Sequence, residues 1–234
     1  MNAVDSAKQL LLQSGASWIL WLLAALSAAS LLLAVERWLF LRARDANLEA
    51  TARALGGPLA ARAWPAAIAK LEALPTTAAA IAASGLKLAD LGPAAVDKAM
   101  QSAVALERRK LERGLAFLGT LGNNAPFIGL FGTVVGVIHA FEELGHAAPA
   151  HAASSGGAAS QAVMASIAEA LVATAVGILV ALPAVAAYNY LQRRVASLLA
   201  GTEVLSNLVL AYIADGEPGA RRPARLKEVA GGRD

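Results

Sequence analysis

Three long apolar runs dominate the hydropathy pattern of the chain. The range 9–35 has no charged residue, 114–141 has one ionisable side chain, a histidine, and the sole carboxylate of 145–192 is Glu169. A membrane-spanning helix needs about 20 mostly apolar residues, and each run is longer than that. The predicted transmembrane helices are 16–35, 118–141 and 163–190.

The first run also has features of a cleavable signal peptide, because small residues such as Ser27 and Ala29 lie near its middle. An apolar signal region is usually about 7–15 residues long, whereas this run continues through Leu31 to Val35 without a break. We therefore expect a retained transmembrane helix.

The segment 36–117 has its own helical pattern and predicts a small helical domain. Its last helix, from Pro93, meets no further Pro or Gly until Gly114 and is expected to run into the second span as one helix. Residues 191–215 keep apolar positions at helical spacing and are expected to extend the third span. The expected helix breaks are Gly56-Gly57-Pro58, Trp64-Pro65, Pro75 and Gly92-Pro93.

The remaining segments are short and polar or of low complexity. Residues 1–15 form an N-terminal segment, and 142–162 form a loop that is expected to be flexible because its residues 147–160 are mostly Ala, Ser, Gly, His and Pro. The tail 216–234, rich in Gly, Pro and Arg, is expected to be disordered.

The basic residues are distributed unevenly among these segments. One Lys or Arg precedes the first span, twelve lie between the first two spans, none between the second and third, and seven follow the third. The positive-inside rule then places 36–117 and the C-terminal part in the cytoplasm, and the N-terminus and 142–162 in the periplasm. This topology explains the pI near 9.4, so we expect no nucleic-acid partner.

Composition agrees with a membrane protein and excludes several chemistries. The chain is 57% hydrophobic and 16% charged, with a mean hydropathy of +0.55. Cysteine is absent, which excludes disulfides and thiolate metal sites. We find no nucleophile elbow, phosphate-binding loop or zinc-type Cys/His spacing, so we predict no enzyme activity, no catalytic residues, no metal and no cofactor.

Small residues form a stripe along each of the last two spans at spacings of three and four. Such stripes let helices approach closely, either within one chain or between subunits, and both readings stay open. The stripe of the second span is Gly122, Pro126, Gly129, Thr133, Gly136 and Ala140, and that of the third span is Ser166, Ala170, Ala173, Gly177, Ala181 and Ala184.

Glu169 is the candidate functional residue, because an ionised carboxylate inside an apolar span costs at least about 2.5–3.5 kcal/mol on insertion scales. Helical geometry places Glu169 at one border of the stripe and Thr174 at the other. Thr133 and Thr174 lie at similar depths, about 30 Å above the inner arginines, so their hydroxyls can be level. A carboxyl group away from water can be neutral or charged, which suits a proton relay. The alternative is a glutamate near the outer interface that simply reaches water.

A second set of polar residues lies at the outer end of the second span. His139, Glu142, Glu143 and His146 share one helical face if the helix continues outward, and imidazole with carboxylate at this spacing could hold a divalent metal. A polar helix end that meets water explains the pattern equally well.

The strings LERGLAFLGTLGNNAPFIGLFGTVVGVIHAF (111–141) and IAEALVATAVGILVALPAVAAYNYL (167–191) resemble the two signature spans of the MotA/TolQ/ExbB proton-channel family. The resemblance implies an all-α integral membrane subunit with three transmembrane helices and long cytoplasmic helical extensions, assembling into a ring. It also implies that Glu169, Thr174 and Thr133 line a proton path in the bacterial inner membrane. The predicted packing residues are Gly122, Pro126, Gly129, Gly136, Ala173, Gly177 and Ala181.

By the same resemblance, the expected partners are further copies of the chain, five in all, a single-span ExbD/TolR-like protein, and a TonB- or TolA-like protein. The first span ends in Val-Glu-Arg, which is similar to many ExbB-like chains and favours outer-membrane transport over the TolQ-like alternative of envelope maintenance. A structural membrane scaffold without proton conduction is the alternative from a different class.

Overall fold

The structure is a computed structural model that describes residues 17–45, 47–147 and 156–215, and every regular element in those ranges is a helix. The predicted N-terminal segment 1–15 and the predicted disordered tail 216–234 lie outside the described residues. The helices are α1 (Ser17–Ala43), α2 (Leu48–Ala60), α3 (Trp64–Glu72), α4 (Thr77–Leu86), a 3₁₀ turn (Ala89–Leu91), α5 (Pro93–Leu111), α6 (Leu115–Ala147) and α7 (Gly156–Ala214).

Three of these helices, α1, α6 and α7, are long and apolar enough to cross a membrane. This confirms the all-α class and the three predicted spans. Each helix continues past its predicted span, because polar residues can extend a helix beyond the apolar stretch. In particular, α7 passes through 191–215 without interruption as far as Ala214.

The loop predicted at 142–162 was wrong at both of its ends. Helix α6 continues to Ala147 and α7 already begins at Gly156, so only 148–155 separates them, and those residues lie outside the described part. Residues with high helix propensity occur at both ends, Glu142, Glu143 and Leu144 at the first and Ala158, Ala159 and Ala162 at the second, and they outweigh the glycines there.

The chain forms two compact units. The first, called the membrane unit here, contains the described residues of 1–38 and 114–192. The second, called the helical domain, contains those of 39–113 and 193–234. Helices α1 and α7 contribute residues to both units.

Within the membrane unit, α6 and α7 are antiparallel and approach closely along their small residues. A Cβ added to Gly129 would lie 2.7 Å from the Ala173 carbonyl oxygen and 2.9 Å from Thr174 Cα. One added to Gly177 would lie 2.7 Å from the Ala125 carbonyl oxygen. The two backbones are therefore in direct contact, and no side chain fits between them. We call this contact the glycine seam.

The seam extends in both directions from Gly129. Towards 148–155, the end called outer here after the predicted topology, a Cβ on Gly136 would meet Ala170 Cβ at 2.5 Å. Towards the opposite end, called inner, a Cβ on Gly122 would meet Val185 at the same distance. These contacts lie within one chain, which is one of the two readings that the sequence left open for the stripes.

Helix α1 packs on this pair through side chains. Ile19 and Leu23 are fully buried in an apolar cluster formed with residues of α6 and α7. Trp18 contacts Phe131 edge to face, with ring centroids 6.4 Å apart. The opposite face of α1, including Leu32, is exposed to the surroundings of the unit.

A break at Gly114 corrects the prediction that α5 and α6 form one helix. Helix α5 ends at Leu111, α6 begins at Leu115, and Gly114 between them has a φ of 81°. Only glycine adopts this left-handed conformation without a steric cost, and it commonly terminates helices. The sequence contains this glycine, but a glycine alone does not predict whether a helix ends at it.

The helical domain has an apolar core formed by α2 to α5 and the last part of α7. Within it, Ile81 and Val96 are fully inaccessible to solvent, and Leu205 and Val209 of α7 pack in the same cluster. The predicted breaks at Trp64-Pro65, Pro75 and Gly92-Pro93 all coincide with helix boundaries.

The predicted break at Gly56-Gly57-Pro58 was wrong, because α2 passes through Pro58 and ends at Ala60. Proline has no N–H to donate to the carbonyl oxygen of Ala54, four residues earlier. The Lys70 ammonium donates a hydrogen bond to that oxygen instead, at 3.2 Å. A side chain from α3 thus donates to the Ala54 carbonyl oxygen, which receives no N–H from proline. Helix α2 continues for only two residues beyond Pro58.

We expect Gly129→Ala to lower the stability of the membrane unit by about 1–3 kcal/mol, the usual cost of overpacking, because the added methyl group meets backbone atoms that cannot rotate away. The matched control is Gly145→Ala, in the same helix, where an added Cβ has nothing within 4 Å. Both changes raise helix propensity equally, so the difference between their thermal unfolding midpoints in detergent isolates the seam. Equal midpoints would contradict a tight seam.

Candidate functional site

Glu169 lies on α7 beside the outer part of the glycine seam. The next residue, Ala170, touches Gly136 of α6, which fixes the level of Glu169 relative to that helix. Its carboxylate accepts a hydrogen bond from the Ser17 hydroxyl of α1, with Ser17 Oγ 2.5 Å from Glu169 Oε1. Glu169 is therefore held between two helices of the membrane unit.

A group of three polar side chains lies one helical turn from Glu169. Ser166 Oγ donates to Glu143 Oε2 at 2.9 Å and lies 3.4 Å from His139 Nδ1. His139 Nδ1 and Glu143 Oε1 are 3.7 Å apart on successive turns of α6. All three side chains are partly buried. We call His139, Glu143 and Ser166 the outer cluster.

Glu169 and the outer cluster line the same cavity, which has a volume of about 340 Å³. The rest of its lining is small, formed by Gly136, Ala162 and Ala165. The small residues leave room for the cavity, and the carboxylates, imidazole and hydroxyl give it a polar wall. Such a space fits water and protons better than an apolar ligand.

The two threonines predicted for the proton path lie further inward, and each hydroxyl bonds to a backbone carbonyl. Thr174 Oγ1 donates to the carbonyl oxygen of Gly129 across the seam at 3.0 Å. Thr133 Oγ1 donates to Leu130 of its own helix at 2.7 Å. The Thr174 side chain thus contacts Gly129, which lies one helical turn from Thr133 on α6. Both threonines are partly buried.

The other predicted packing residues lie along the same interface. Ala173 is fully buried and its Cβ faces Gly132, while Ala181 is buried in the apolar cluster around Ile19. Pro126 lies inside α6 and is partly buried.

The metal alternative gains no support from the described residues. His139 and Glu143 form a pair, but no group of three or more His, Asp or Glu that could hold a metal occurs in 17–45, 47–147 and 156–215. The fourth candidate, His146, has a side chain outside the described part.

Two hydroxyls of the site were not identified as functional from the sequence. Ser17 was assigned no role, and Ser166 was read only as a member of the small stripe. The spacing gave one usable signal, because Ser166 precedes Glu169 by one helical turn and must share its face. No local signal connects Ser17 with a residue 152 positions away.

Comparison with known proteins gives a consistent result. The profile of the MotA/TolQ/ExbB proton channel family matches residues 72–203. The chain is 36% identical to the biopolymer transport protein ExbB of Xanthomonas campestris over 121 residues, which are 52% of this chain and 45% of the relative.

Two further relatives match over similar lengths. The Tol-Pal system protein TolQ of Pseudomonas aeruginosa is 43% identical over 42% of this chain and 39% of its own length. The biopolymer transport protein ExbB of Neisseria gonorrhoeae is 42% identical over 46% of this chain and 42% of its own length. The matched region thus spans less than half the length of each of these relatives.

The cavity should be open to water. Since the chain lacks cysteine, Ala165→Cys would place a single thiol at the cavity wall, and Leu171→Cys would place one on an exposed apolar face of the same helix. Thiols react as thiolates, which form in water and not in lipid. We therefore expect a membrane-impermeant maleimide to label Ala165→Cys faster than Leu171→Cys in intact vesicles. Equal labelling rates would argue against a hydrated cavity.

Proposed function

Because the chain belongs to the MotA/TolQ/ExbB proton channel family, we propose that it is a proton-channel subunit of an energy-transducing complex in the bacterial inner membrane. In this proposal Glu169 takes up the proton and releases it again. The observation that carries the proposal is a carboxylate within an apolar helix, next to a polar cavity and in hydrogen-bond contact with Ser17.

Placing an ionised carboxylate in an apolar span costs free energy, and a functional role would explain why the chain carries one there. Within a span, ionisable residues usually face the protein interior or a water-filled cavity, and they often mark proton relays. Glu169 has both a cavity and a hydroxyl partner, so its charged form is accommodated without a fixed cation among the residues that line the cavity. A site of this kind can hold a proton temporarily, because neither charge state is strongly locked by an ion pair.

Thr174 and Thr133 are proposed to continue the path inward from Glu169. Thr174 lies five residues further along α7, about 7.5 Å at 1.5 Å per residue. A hydroxyl can accept one proton while it donates another, which is what a relay position requires. Their present hydrogen bonds to backbone carbonyls leave each oxygen free to accept.

We further propose that several copies, five by resemblance, surround a single-span ExbD/TolR-like partner and drive a TonB-like protein for outer-membrane transport. The N-terminus would then lie in the periplasm and the C-terminal part in the cytoplasm. Relatives named ExbB and relatives named TolQ both match this chain. The TolQ-like role with a TolA-like protein is therefore the second candidate.

The charge of Glu169 is the first thing to test. We expect Glu169→Gln to preserve assembly but to reduce proton flux through the purified complex, reconstituted in vesicles, to the level of empty vesicles. Glutamine keeps the size of the side chain and its hydrogen bonds but cannot release a proton. The matched control is Glu142→Gln, a partly buried carboxylate of α6 that does not line the cavity. Normal flux in Glu169→Gln would overturn the proposal.

The identity of the complex follows from its partners. We expect a tag on this chain to capture, in mild detergent, several copies of the chain with a small single-span protein that carries an intramembrane aspartate. Native mass determination would give the copy number, and the periplasm-spanning protein found with the complex would distinguish the ExbB-like role from the TolQ-like role. A partnerless bundle would instead favour a structural scaffold.

A further inference from the structure

The outer cluster is a second group of exchangeable protons in the cavity of Glu169. His139, Glu143 and Ser166 are linked to each other, whereas the hydrogen bond of Glu169 goes to Ser17. The four side chains nevertheless share one cavity of about 340 Å³, which has room for several water molecules. Two titratable side chains of α6 therefore lie within reach of Glu169 through water.

We infer that the outer cluster collects protons from the water outside the membrane and delivers them to Glu169. This inference rests on the proposed function and deepens it, because it assigns the entry point of the path. Ser166 acts as a positioning residue, since its hydroxyl bridges the imidazole and the carboxylate and holds both towards the cavity.

The step moves one proton and leaves the cluster unchanged. The imidazole of His139 accepts a proton from outside water and becomes a cation, which the neighbouring Glu143 carboxylate stabilises at 3.7 Å. The imidazolium then gives a proton to a water molecule in the cavity. That water passes a proton to the Glu169 carboxylate, so His139 returns to its neutral form. Imidazole suits this role because it exchanges protons readily near neutral pH.

Among the described residues, few titratable side chains line the cavity. The titratable side chains lining the cavity are His139 and Glu143 from α6 and Glu169 from α7, and α1 contributes the neutral hydroxyl of Ser17. Glu142 is adjacent in sequence but does not line the cavity. The two carboxylates give the cavity wall a negative charge, which attracts protons and other cations from solution.

A purely structural role would explain the same hydrogen bonds, so the test must separate packing from proton transfer. The complex is placed in vesicles with its outer face exposed, and inward proton flux is measured at low and high concentrations of outside buffer. We expect His139→Ala to lower the flux at low buffer concentration by about a hundredfold, the lower end of the contribution that a positioned proton-transfer group usually makes.

Chemical rescue is the decisive measurement. Added imidazole is expected to restore flux in His139→Ala by carrying protons into the cavity, and it should do nothing for Glu169→Gln. Ser166→Ala should show a smaller defect of the same kind, and Glu142→Gln should behave like the unmodified chain. If His139→Ala does not assemble, His139→Gln serves the same purpose with a side chain of similar size.

The outcomes separate the two proposals. Unchanged flux in an assembled His139 variant, or a defect that imidazole does not relieve, would overturn the entry role of the cluster and leave Glu169 as the proton carrier. Normal flux in Glu169→Gln would overturn the proposed function, and this inference with it.

Discussion

The direct contact between the backbones of α6 and α7 determines most of the helix packing in the membrane unit. At Gly129 and Gly177 no side chain separates the two helices. Each backbone lies too close to the other to leave room for a Cβ at these positions. In lipid there is little hydrophobic gain from joining two apolar helices, so close packing of this kind supplies much of the attraction. It also sets the register, because only small residues tolerate such an approach.

The register in turn creates the site. With Gly136 against Ala170, the polar residues at the outer end of α6 come level with Ser166 and Glu169 of α7. A slip of one residue along either helix would rotate these groups away from each other. The placement of these polar side chains therefore depends on glycines, which have no side chain of their own.

Each of the two carboxylates that line the cavity accepts a hydrogen bond from a serine hydroxyl. The Ser17 hydroxyl donates to Glu169, and the Ser166 hydroxyl donates to Glu143. Each hydrogen bond reduces the free-energy cost of placing a carboxylate in apolar surroundings. For Glu169 the described partner is a neutral hydroxyl, whereas Glu143 also lies 3.7 Å from the His139 imidazole. Both carboxylates keep access to the same cavity.

Much of this arrangement was predictable from sequence, because it follows from composition and helical period. The three spans followed from long apolar runs, and contact between the last two spans was one of the two readings left open by small residues at spacings of three and four. Glu169 was found because a carboxylate is conspicuous in an apolar run. Composition and helical spacing are properties of short stretches of chain, so they hold in the fold whatever the tertiary contacts are.

Two of the failures have tertiary causes, and the third comes from the conformational freedom of glycine. Helix α2 continues through Pro58 because Lys70, from a different helix, replaces the missing donor. The break at Gly114 depends on a positive φ that glycine permits but does not require. Ser17 entered the site through a contact with α7 across 152 residues of sequence. No periodicity in the chain encodes these contacts.

The glycine seam also has a mechanical consequence. Where α6 and α7 touch through their backbones at Gly129 and Gly177, few side-chain rotamers are available to relax the contact, so the pair should resist sliding. Helix α1 is different, because its contacts with the pair are made by side chains such as Ile19 and Leu23 and by the Ser17 hydroxyl. Ionised Glu169 can only accept from Ser17, whereas neutral Glu169 can also donate. A change in the charge of Glu169 would therefore act directly on its hydrogen bond to α1.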